Sequence, residues 1–113
     1  MYFNDNATSN GTGISTSWDS DALLAIDTTG ANVVTMYFED QFYDEDAPDD
    51  VAITCTNGAT DQLDYAHRKA AMQTMVGLAN SVNKQGHTVC FDTLNGINPN
   101  STDIVSIAIT MNS

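Results

Sequence analysis

Basic residues are scarce in this sequence: Arg68, Lys69 and Lys84 stand against fifteen acids among 113 residues, a formal net charge of -12. Duplex nucleic acid and anionic lipid are held mainly by Lys and Arg, so a surface of this sign argues against direct binding to either. The plain consequence of the charge is solubility in a crowded or salty setting. Cysteine is scarce too. Cys55 and Cys90 are too few for a disulfide framework, and with 34 residues between them they form no CxxC pair. His67 and His87 do not complete a zinc pattern with them. Each cysteine lies in a strand-like run, which predicts two buried thiols. No stretch approaches the roughly 18 apolar residues of a membrane-spanning helix. The opening Met1-Tyr2-Phe3-Asn4-Asp5 has neither the basic nor the apolar region of a signal peptide. The expectation is a chain made in the cytoplasm and either kept there or released by a route that needs no signal.

The familiar catalytic and phosphate-binding signatures are missing as well. There is no GxSxG elbow, HExxH helix, GxxxxGK[ST] loop or GxGxxG loop; Gly11-Thr12-Gly13 lacks the third glycine and the flanking strand and helix. His67, beside Arg68 and Lys69, reads as a surface residue of a helix, and His87 as part of a helix-to-strand turn. No Ser or Cys has an adjacent base in sequence. The acids of residues 44–50 form the best candidate for a cation site, yet the run lacks the glycine and closing glutamate of an EF-hand loop. It reads as a solvated run and not a calcium site. The sequence therefore predicts no catalytic residues, no metal ligands and no cofactor. Three Asn-x-Ser/Thr sequons, at Asn6, Asn10 and Asn100, are close to the chance number for a chain with 22 Ser and Thr and 11 Asn.

What is present describes one α+β domain, residues 21–113, preceded by an extended N-terminal arm, residues 1–20. The arm is rich in Asn, Ser, Thr and Gly, too polar to build a core alone. Its apolar anchors, Tyr2, Phe3, Ile14 and Trp18, are the predicted partner-binding residues, since aromatic side chains bury large areas at low entropic cost. Residues 22–26 read as a short strand, 27–30 as a turn and 33–38 (VVTMYF) as a second strand. Seven of the fifteen acids crowd residues 39–50, which with Pro48 read as an exposed loop. Residues 51–56 alternate, placing Val51, Ile53 and Cys55 on one face. A helix over residues 61–82 follows, capped by Thr60 or Asp61, with Leu63, Ala66, Ala70, Met75, Leu78, Ala79 and Val82 as its apolar face. Lys84 and Gly86 suit its C-terminal end. Strands over 88–94 and 104–111 close the chain, separated by a long polar turn. In the last strand Val105, Ile107, Ile109 and Met111 are expected to face the core. The order β-β-β-α-β-β predicts an antiparallel sheet with one helix packed across a face.

Taken together, the short acidic chain, the polar arm and three segments resemble the small accessory virion proteins of marine tailed bacteriophages. The segments are DALLAIDTTGANVVTMYF, VAITCTNGATDQLDYAHRKAAMQTMVGLANSV and DIVSIAITM, and the resemblance covers most of residues 20–111. It implies a non-enzymatic virion structural protein, foremost a capsid decoration or cement protein on the outside of the phage head. The partners it implies are the major capsid protein, other virion proteins and further copies of the chain. A tail component is an alternative. So is a small acidic inhibitor mimicking DNA, although acids crowded into one loop suit that poorly.

Overall fold

The computed structural model describes residues 1–6, 13–39, 48–81 and 89–111. Strands β1 (Tyr2–Asn4) and β2 (Ser15–Ser17) lead through a single 3-10 turn into β3 (Leu23–Gly30) and β4 (Val33–Phe38). Then come β5 (Asp49–Cys55), helix α1 (Asp61–Ser81), β6 (Val89–Asp92) and β7 (Ile104–Thr110). The fold is α+β. Four strands form an antiparallel sheet in the order β3-β4-β5-β7; a smaller sheet runs β2-β1-β6, with β1 antiparallel to β2 and parallel to β6.

The residues of β4 explain why one face of the large sheet is the core. Val34, Met36 and Phe38 share a face by the two-residue repeat of a strand. They lie opposite Ile53, Val51 and Asp49 of β5, and Ile107 and Ile109 extend the same face on β7. These residues are buried together with Ala71 and Met75 of α1, with Phe3 and Cys90 of the smaller sheet and with Trp18, which directly follows β2. Helix and small sheet therefore cover the same side. Each large apolar side chain enclosed there contributes roughly 1.5–3 kcal/mol. The opposite face carries Asp27, Ala52, Thr54, Ser106, Ala108 and Thr110, none of them fully buried.

Several expectations need correction. Residues 27–30 are strand and not turn: the reversal falls at Ala31–Asn32, and a register shift between Thr28 and Gly30 takes up the extra residue. The Thr29 and Thr35 hydroxyls meet at 2.8 Å, a cross-strand pair that holds this end of the hairpin. Asp49 and Asp50 belong to β5, with Asp49 buried opposite Phe38, so the acidic loop ends earlier than its charge suggested. Its residues 40–47 lie outside the described ones, as do Val82, Lys84, Gly86 and His87 at the expected end of the helix.

In β7 the core set is Ile104, Ile107 and Ile109, while Val105 is 60% exposed. Ser106 is registered with Thr54 and Ile104 with Cys55, leaving Val105 as the extra residue of a bulge that breaks the alternation. In α1 the buried stripe is Ala71 and Met75, flanked by Met72, Leu78 and Ala79. At about 100° per residue, Leu63, Ala66 and Ala70 point more than about 110° away from Met75. Asp64, His67 and Arg68 occupy the inward face in that first half instead, and all three are partly buried.

Candidate functional site

The four anchors assigned to the arm are brought together, but inside the molecule. Trp18 stacks on Phe38 with centroids 4.3 Å apart and planes 6° from parallel, and Phe3 approaches both rings at 6.0 and 6.1 Å. Phe3 is fully buried and Trp18 nearly so. Ile14 packs against the same core, and Tyr2 is half-buried in register with Ser17 and Val89. The arm is thus corrected to a β-hairpin of the domain itself, and in the folded chain Phe3 and Trp18 are not available to a neighbour.

The polar residues of that segment explain the correction: they serve as internal hydrogen-bond hubs. Asn4 donates to the Asp92 carboxylate at 2.8 Å and accepts from the Ser15 hydroxyl and the Asn6 backbone. One Asp5 oxygen accepts from the backbone of Ile14 and the other from the backbone of Ile109 on β7 at 2.9 Å. Gly13 permits this, since a Cβ there would collide with the Asp5 carboxylate. Asp92 also accepts from Asn95 at 2.7 Å, and these side-chain hydrogen bonds hold its carboxyl below the usual carboxylate range.

Asp92 and Ile97 exchange backbone hydrogen bonds at 2.9 Å, closing a turn over residues 93–96 in which Gly96 takes φ +68°. The turn lifts Leu94 and Ile97 to the surface, 43% and 42% exposed. Ile97 and Val105 line a shallow cavity of about 210 Å³ with Phe91, Gly96, Asn98 and Ser106. Strand β7 is the edge of the large sheet here. Asp5 covers it near Ile109, and the Asn98 side chain donates to the Ile104 carbonyl at 2.7 Å. Such end caps restrain an edge from open-ended pairing. In sequence Leu94 ends a strand-like run and Ile97 lies within a polar turn, so neither position alone signals a surface patch. The available signal was an Asn-Gly turn flanked by two large apolar residues.

A second missed feature is His67. Its Nδ1 lies 2.7 Å from the Asp103 carboxylate, with both side chains about one-fifth exposed. A carboxylate that orients an imidazole recurs in catalytic triads. Here, among the described residues, no side chain is hydrogen-bonded to the other ring nitrogen. The pair joins α1 to the loop before β7, and Asn100 reinforces the joint by donating to the Thr74 hydroxyl at 3.1 Å. His67 is therefore a half-buried latch and not a free surface residue. Cys55 and Cys90 are buried thiols, not joined in a disulfide. Burial pushes Cys90 up to about 11, and it also raises Cys55 despite the opposing pull of Arg68. Thiols so placed are poor nucleophiles. Among the described residues no three His, Cys, Asp or Glu gather as a metal site. No helix in that set is long and apolar enough to cross a membrane.

No protein-family model, curated protein or solved structure matches this chain.

Proposed function

We propose that this chain is a non-enzymatic structural protein that attaches to a protein surface through Leu94, Ile97 and Val105, with a virion capsid as its partner. The observation that carries the reading is the exposed apolar pair Ile97 and Val105, 42% and 60% exposed and lining one cavity, with Leu94, 43% exposed, on the turn that Ile97 closes, all on a chain of net charge -12. Clustered exposed apolar residues mark interaction surfaces more often than solvated ones. The sequence resemblance to small accessory virion proteins points to the capsid as the surface engaged. Decoration of a lattice multiplies a modest contact over many copies, so a small patch is sufficient. DNA mimicry is the weaker reading. Asp49 and Asp50 alternate between the buried and the open face of β5, which prevents them from forming part of a regular phosphate-like row.

The test is co-sedimentation of the purified chain with empty capsid shells. Binding by the native chain, and its loss in a Leu94→Asp/Val105→Asp variant that melts like the native protein, is the expected result. Equal binding by that variant, or failure of the native chain to sediment with shells, would overturn the proposal.

A further inference from the structure

The two cationic side chains Arg68 and Lys69 lie at adjacent positions and line one cavity of about 330 Å³ between α1 and β3. Tyr65, Met72 and Thr28 complete its wall. Positions 65, 68, 69 and 72 follow the three- and four-residue spacing that places side chains on one helix face. Nothing of this cavity is shared with the apolar patch beside β7.

With fifteen acids in the chain, both cations could be expected to sit against carboxylates. Among the described residues neither does, and the carboxylate of Asp103 is taken up by the His67 ring. The nearest acid along β3, Asp27, is registered with Thr35 on the other face of the sheet. One Arg68 nitrogen donates to the carbonyl of Ala31 in the β3–β4 turn, which orients the guanidinium, and among the described residues no carboxylate pairs with its other donors. Tyr65 is 59% exposed, an aromatic wall with little of its own surface covered. Cations beside an aromatic ring, a methionine and a hydroxyl form a lining with both polar and apolar parts, as small-molecule sites have.

From this juxtaposition we propose that the cavity binds a small organic anion, with a carboxylate held by Arg68 and Lys69 and a planar apolar body against Tyr65 and Met72. The net negative charge of the protein does not prevent it. At physiological salt, charges more than about 8 Å away are largely screened, whereas the two cations are in contact with the ligand.

Benzoate is the probe, compared with neutral benzamide and with inorganic phosphate, by NMR titration of backbone amides at 150 mM salt. Benzoate should shift the amides of residues 65–72 and of Thr28 saturably, with Kd on the order of 1 mM. Benzamide and phosphate should each bind about tenfold more weakly, one lacking the charge and the other the apolar body. Lys69→Gln and Tyr65→Ser change exposed side chains and leave the core intact; each should weaken benzoate about tenfold. The proposal is overturned if benzoate shifts do not saturate, if benzamide or phosphate binds as well as benzoate, or if both variants bind undiminished.

Discussion

Two aspartates, the buried Asp92 and the partly exposed Asp50, act on stability with opposite sign. Asp92 accepts hydrogen bonds from Asn95 and Asn4, which lower its pKa in the folded chain. A carboxyl held below its unfolded value near pKa 3.9 stabilises the fold above that pH, and the stabilisation is lost as pH falls through the folded value. Asp50 is the reverse case, because burial first and then the adjacent Asp49 raise its pKa. Its ionised form is disfavoured in the folded chain, so its contribution is present below about pH 3.9 and lost as pH rises through the folded value. Asp92→Asn should therefore lower the melting midpoint at pH 7, placing an amide donor against two others, while Asp50→Asn should raise it. Both differences should narrow when the melts are repeated below about pH 4. Shifts of the same sign for the two variants, or shifts that ignore pH, would contradict these assignments.

At the scale of elements, the bulge in β7 decides which of its valines and isoleucines matter. Ile107→Asp buries an unpaired charge beside Ile53, at a cost of several kcal/mol. Val105→Asp, on the exposed bulge, should stay within about 0.5 kcal/mol of native stability in urea denaturation. Similar losses in the two would mean that β7 keeps unbroken alternation. The same element shows how far the sequence could be read. The strands containing VVTMYF and VAITC were legible because β-branched residues and strict alternation are local signals, and the helix was legible from its length and its Thr60 cap, which accepts from Leu63 at 3.2 Å. The bulge was not, since one extra residue is set by the register of the partner strand. Nor was the helix face, because Leu63, Ala66 and Ala70 follow the right intervals on the wrong side. In the candidate sites, the role of His67 was illegible because it depends on Asp103, 36 positions away, and that of Ile97 because it depends on the bulge that turns Val105 outward, which the pairing of β7 with β5 sets.

At the scale of the whole molecule, the N-terminal hairpin is where local and non-local physics disagree most. Residue by residue it resembles a solvated tail, and only pairing with β6, more than eighty positions away, gives it structure. That pairing encloses Phe3, Trp18 and Met1 over Phe38 and roofs one end of the large sheet. It also satisfies backbone groups at both ends: the Met1 amino group donates to the Trp18 carbonyl at 2.7 Å, and Asp5 accepts from Ile109. Each of the three apolar side chains contributes roughly 1.5–3 kcal/mol by burial, before the entropy of ordering the segment is set against it. Domains of this size have total stabilities of about 5–15 kcal/mol. Deleting residues 1–19 would uncover Phe38 and Cys90 and leave Asp92 without Asn4, a loss comparable to the whole margin. The truncated chain should therefore show no cooperative thermal transition, bind an apolar dye, and expose Cys90 to thiol reagents that the full chain resists. A truncated chain that melts cooperatively within a few degrees of the native one would show that the sheet and helix hold together without the hairpin, returning residues 1–19 to the role of a detachable arm.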